Sequence, residues 1–188
     1  MNICVFGAAS DRLEGAYFTL AEELGRSMAR RGHTLVFGGG ATGLMGALAR
    51  GVRAEGGERI GIAPRFFDMP GVLYKECTER IFTETMAERK SLMEDMAEAF
   101  IAVPGGIGTY EEFLEVLTLR QLGRHEKPMA LLECLGYYAP MQTLLEHTVK
   151  AGFLEQRCLD MYSIFQSPEP CLDYLENGGL SLHPHKKT

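Results

Sequence analysis

The chain reads as an α/β protein, a Rossmann-like, doubly wound parallel sheet with helices on both faces. Three observations predict this. Short β-branched and apolar runs alternate with longer segments of three- and four-residue apolar spacing, and strands separated by helices pair in parallel with right-handed crossovers. Two glycine turns, GGGATG and PGGIGT, each follow an apolar run and open a helical pattern. That position is the carboxyl edge, where such sheets bind ligands. Finally, 188 residues at 46% hydrophobic suit one sizeable core and leave too little chain for two.

The elements follow in order. ICVFG is a first buried strand. Glu14 to Arg31 is a helix whose apolar face carries Tyr17, Leu20, Ala21, Leu24 and Met28, with Gly32 as its closing glycine. TLVFGGG is the second strand, and LMGALARGVRAEG the helix after it. RIGIAP is the third strand, stopped by Pro64, and Arg65–Tyr74 is irregular. ERIFTE is a short extended piece leading to a helix at Met86 to Glu98. AFIAVPGG, KPMALLE and MYSIFQ are further strands, interleaved with the helices TYEEFLEVLTLRQLG, YYAPMQTLLEHTVKAG and PEPCLDYLENG. Residues 1–177 form a single nucleotide-binding α/β domain, and the polar 178–188 a loose tail. His183 and His185 there read as part of a disordered end.

Net charge is −6 and the pI about 5.4, which argues against broad affinity for nucleic acid or an acidic membrane surface. Five scattered cysteines with no CxxC pair read as reduced thiols of a cytoplasmic protein, not as a zinc site. MNICVFGAAS is a strand start, not a signal peptide. No apolar run is long enough to span a bilayer.

The glycine turns carry the chemistry. Gly38, Gly40 and Gly43 match G-x-G-x-x-G, but the motif follows the second strand rather than the first. The acid that would hold a ribose is missing, since the next strand ends Ala63-Pro64-Arg65. An NAD site is therefore disfavoured. Neither turn ends in Gly-Lys-Ser/Thr, so neither is a P-loop. In PGGIGT, Gly105, Gly106 and Gly108 let backbone approach a ligand. The N–H groups from Gly106 to Thr109 lie at a helix start without intrahelical partners, a seat for a phosphate. The same residues also fit a capping box, with Thr109 as N-cap and Glu112 at the third helical position. Upstream, Arg89 and Lys90 are either an exposed helix face or a clamp for an anion.

The combination of MAERK and PGGIGTYEE resembles the LOG ("lonely guy") family of nucleoside monophosphate phosphoribohydrolases. The family pattern P-G-G-x-G-T-x-x-E is matched at Pro104, Gly105, Gly106, Gly108, Thr109 and Glu112, and the family's Arg-Lys pair at Arg89 and Lys90. GGGATGLMG and TLRQLGRHEKP add to the likeness, which runs from Asn2 to about Phe153. At the first strand FGAAS replaces the usual Cys/Gly–Ser–Ser turn, with Ser10 kept. Similar proteins once carried a lysine decarboxylase label, yet no lysine here has the context of a pyridoxal phosphate site.

The resemblance implies cleavage of the N-glycosidic bond of a purine nucleoside 5′-monophosphate, an N6-modified adenine riboside monophosphate or AMP, without a cofactor or metal. It gives Glu112 the developing oxocarbenium ion and Arg89 the phosphate or ribose oxygens. Ser10, Gly39, Met86, Lys90, Gly105, Gly106, Ile107, Gly108 and Thr109 become substrate contacts, with Glu111 on the margin and Thr118 bordering the pocket. It also implies a homodimer or larger assembly with the Glu112 helix near the interface, where Phe113, Leu114, Leu117 and Leu119 are available to bury. The competing reading is a non-hydrolytic nucleotide or molybdenum-cofactor carrier, which has no need of a carboxylate beside the ribose.

Overall fold

The computed structural model describes residues 1–180. Its strands are β1 (Asn2–Phe6), β2 (Thr34–Phe37), β3 (Arg59–Pro64), β4 (Glu79–Thr83), β5 (Ala99–Ala102), β6 (Met129–Leu132) and β7 (Ser163–Phe165). Its helices are α1 (Gly15–Arg30), α2 (Gly43–Ala54), α3 (Met86–Met96), α4 (Ile107–Gln121), α5 (Ala139–Lys150) and α6 (Pro168–Glu176). The strands form one sheet in the order β4-β3-β2-β1-β5-β6-β7, parallel at every pairing. The doubly wound fold expected from the alternation is the fold observed.

Successive residues of β1 point to opposite faces. Ile3 and Val5 join a core with Leu24, Leu48 and Leu172, beneath α1, α2 and α6. Cys4 and Phe6 join a second core with Met93, Phe113 and Tyr138, beneath α3, α4 and α5. Because the central strands β1, β2, β5 and β6 are covered on both faces, they read as nearly unbroken apolar runs. On the first face α1 and α2 touch backbone to backbone. A Cβ on Gly25 would lie 2.2 Å from the Leu48 carbonyl oxygen, and one on Gly51 2.2 Å from that of Glu22.

Starting at β1, the chain steps outward through β2, β3 and β4, then returns as β5 to the other side of β1. The loops after β1 and β5 therefore diverge, and the crevice between them is the switch point where such sheets bind ligands. Two bonds fix its floor: Val103 N–H donates to the Phe6 carbonyl (2.9 Å) and Ala8 N–H to that of Pro104 (3.1 Å).

Three elements differ from the sequence reading. ERIFTE is a full edge strand, paired with β3 from Glu79 to Thr83. β5 stops at Ala102: Val103 N–H still bonds the Phe6 carbonyl of β1, and Pro104, with no N–H to donate, leads into the glycine turn. α4 begins at Ile107 with Gly106 as its N-cap. Thr109 lies inside the first turn and is 4% exposed, so the capping box with Thr109 at the cap does not form. The tail expected over 178–188 falls mostly outside the described residues, with His183 and His185 among those outside. Gly178 and Gly179 donate to the Leu175 and Tyr174 carbonyls and close α6.

Candidate active site

The two glycine turns, alike in sequence, differ in what their N–H groups meet. At the start of α2, Gly43 N–H donates to Asp11 Oδ1 (2.8 Å), and Leu44 and Met45 both donate to the Ala8 carbonyl (2.9 and 3.4 Å). The chain has filled that seat itself. At the start of α4, Tyr110 N–H makes the first bond back, to the Gly106 carbonyl (3.1 Å). The preceding groups at Ile107, Gly108 and Thr109 have no acceptor among the described residues, and Gly106, Ile107 and Gly108 are exposed. Three donors and the positive end of a fifteen-residue helix are thus left open to an anion.

Arg89 and Glu112 meet across the crevice. Arg89 Nη1 donates to Glu112 Oε1 at 2.8 Å and Nε to the Ile62 carbonyl at 3.2 Å. Both side chains are nearly buried, at 11% and 14% exposure. The guanidinium packs against Gly38 through Nη2, which would lie 2.2 Å from a Cβ there, so the first glycine turn serves to admit Arg89. Burial pushes the Glu112 carboxyl above the usual carboxylate range, and the Arg89 charge opposes it. α3 carries Arg89 from a well-formed N-terminus: Thr85 Oγ1 accepts from Glu88 N–H (3.1 Å) and Glu88 Oε2 from Glu84 N–H (2.9 Å).

These two side chains line a cavity of about 460 Å³ whose other walls are mostly apolar, including Phe6, Met45, Phe67 and Leu73. The irregular segment after β3 builds one wall: Leu73 bridges to Gly40, and Tyr74 N–H donates to the Gly39 carbonyl at 2.7 Å. The sequence points to Arg65–Tyr74 as a segment on which pocket size depends, but singles out none of its residues. The segment's one signal is position, since it leaves the carboxyl end of a strand.

The other expected contacts divide. Gly105 is buried against Thr109 and Ala8, beside the crevice. Gly39 backs onto Leu73 and Gly61, one layer behind the cavity wall. Ser10 is exposed and accepts from Arg12 N–H (3.2 Å). Met86 is exposed at the start of α3, and Thr118 donates to the Leu114 carbonyl on the outer face of α4. Lys90 and Glu111 pair with each other at 2.5 Å and are not among the residues lining the cavity.

Comparison with known proteins places this geometry. The family described as "Possible lysine decarboxylase" matches residues 45–175. A cytokinin riboside 5′-monophosphate phosphoribohydrolase of Rhodococcoides fascians is 42% identical over 154 residues, spanning 81% of this chain and 78% of that protein. The chain belongs to the LOG family. A LOG relative with the same name from Mycobacterium tuberculosis is 34% identical over 171 residues, 91% of either chain. Among solved structures, the molybdenum cofactor carrier protein of Chlamydomonas reinhardtii has the same fold, with a TM-score of 0.71 at 21% identity over 94% of this chain and 96% of that one.

The decarboxylase description would call for a pyridoxal phosphate lysine, and the residues do not fit that group. No lysine lines the cavity among the described residues. Lys90 is held by carboxylates, and Lys127 donates to the Glu94 carbonyl at 2.7 Å.

Proposed function

We propose that this LOG-family chain hydrolyses the N-glycosidic bond of a purine nucleoside 5′-monophosphate to free base and ribose 5-phosphate. The observation that carries the reading is the buried Arg89–Glu112 pair, set between an apolar cavity and the open N-terminus of α4. Breaking C1′–N9 leaves a cationic ribose. A carboxylate facing C1′ stabilises that charge and aligns the attacking water, which is the role of Glu112. Arg89 holds Glu112 in place and offers its remaining N–H groups to substrate oxygens. The phosphate sits on the N–H groups of Ile107 to Thr109, with the exposed Gly106 leaving room for it and Gly105 admitting the inward-turned Thr109. The base enters the cavity, whose size is within the usual range for small-molecule sites. Relatives named for cytokinin riboside monophosphates support an adenine nucleotide, N6-modified or plain.

Assembly and compartment belong to the same proposal. Ile107, Leu114 and Leu122 fall along α4 at seven- and eight-residue spacing, 88%, 38% and 65% exposed, an apolar stripe suited to a second copy of the chain. A homodimer would bury it, and sedimentation that finds an active monomer would refute this. Five unpaired cysteines fit the reducing cytoplasm, and no helix among the described residues is long and apolar enough to cross a membrane. Release of adenine from AMP, followed chromatographically, tests the activity. Bound but uncleaved nucleotide would favour a carrier instead.

A further inference from the structure

Lys90 follows Arg89 on α3, yet its ammonium turns away from the cavity. It lies 2.5 Å from Glu111 Oε1 and 2.7 Å from Glu115 Oε2. Two consecutive cations of α3 therefore engage three carboxylates of α4. Glu111 and Glu115 are one turn apart and share a face, while Glu112 stands about 100° around the helix, toward Arg89.

The charges about Glu112 come from both helices and the sheet. From α3 it faces Arg89 and Lys90, with Glu94 across the narrow space that Glu112, Glu115 and Lys90 also line. From α4 it faces Glu111 and Glu115, and from β1 the buried Cys4 thiol, which the carboxylate charge pushes further up after burial itself. Lys127 is held at the Glu94 carbonyl and over the Phe100 ring. Three other carboxylates thus surround Glu112, and Lys90 pairs with two of them, Glu111 and Glu115, beside the third. Without it, the like charges would favour a protonated Glu112.

We propose that Lys90 is a positioning residue that touches no substrate: by binding Glu111 and Glu115 it keeps Glu112 ionised and in register with Arg89. This rests on Glu112 being the reactive carboxylate. Two readouts separate it from that premise. In substrate-free protein, ¹³C-carboxyl NMR follows the Glu112 titration; in turnover, the pH profile of kcat/KM with AMP follows its consequence. In Lys90→Met, which keeps the aliphatic stem, the Glu112 midpoint and the acid limb of the profile should both move up by about half a pH unit or more. Activity should recover as pH rises, KM should stay within about threefold of wild type, and Lys90→Arg should restore both midpoint and limb. A tenfold rise in KM with the acid limb unmoved would make Lys90 a substrate ligand and overturn the proposal. An equal loss at all pH values with the titration unmoved would do the same, leaving a structural strut. A moved titration in a protein that cleaves no nucleotide would keep the coupling and remove only the hydrolytic reading.

Discussion

Gly38→Ala probes the seat of Arg89 without touching either charged residue. The new Cβ would lie 2.2 Å from Arg89 Nη2 and 3.1 Å from Cζ, whereas ordinary contact begins at 3.4 Å. The guanidinium must therefore recede by about 1 Å, the difference between 2.2 and 3.4 Å. Alanine is otherwise acceptable there, because Gly38 is not one of the glycines with positive φ. The colliding atoms are the far end of a flexible side chain, so the fold should survive with a melting temperature within a few degrees of wild type. The displacement breaks the 2.8 Å bond to Glu112 and the 3.2 Å bond to Ile62. A charge-assisted bond contributes about 1.5–3 kcal/mol, and a misplacement of about 1 Å can slow an enzyme about 100-fold. Both routes lead to a fall of about 100-fold in kcat/KM for base release from AMP. A folded Gly38→Ala protein within about threefold of wild type would refute the reasoning, since Arg89 would then work from a place it cannot occupy here.

Adenosine, lacking the phosphate, should be cleaved at least about 100-fold less efficiently than AMP, because the charge-assisted bonds from the start of α4 are lost; comparable rates would remove the anion seat. Burial raises the Glu112 carboxyl against the lowering charge of Arg89, so between the ordinary glutamate pKa and the folded value the folded protein keeps a proton that the unfolded chain has released. The stability from this group is present below the ordinary glutamate pKa and is lost as pH rises toward the folded value. Glu112→Gln should remove that slope from chemical denaturation at a series of pH values. Activity needs the carboxylate, so the acid limb of kcat/KM should lie above the ordinary glutamate range. Phe113, fully buried and edge-on to Tyr162 at 5.5 Å, anchors the helix that carries Glu112; Phe113→Ala should destabilise by about 3–5 kcal/mol in denaturant titration.

What the residues revealed beforehand follows from how local the signal is. Strand and helix alternation and the two glycine turns are short-range patterns, and the doubly wound sheet follows from them. The start of α4 was placed two residues late, because Thr109 has the chemistry of a cap while its side chain is drawn inward against Gly105. Whether a glycine turn is open or filled was not legible: Asp11 and Ala8 reach α2 from thirty-odd residues away, a contact only the folded chain makes. The same holds for Phe67 and Leu73, which carry no local pattern and become cavity walls in a segment that Leu73 bridges to Gly40. Lys90 looked like Arg89's partner in a clamp, and only the rotation between neighbouring helix positions sends it to Glu111 and Glu115 instead.

AMP and isopentenyladenosine monophosphate, each incubated with wild type and with Glu112→Gln and assayed for free base and ribose 5-phosphate in equal amounts, decide whether the pair beside α4 breaks a glycosidic bond. Wild type should release both products from at least one nucleotide. Glu112→Gln should bind that nucleotide and release almost none. Nucleotide bound by wild type but left intact, or turnover undiminished in Glu112→Gln, would contradict the assignment.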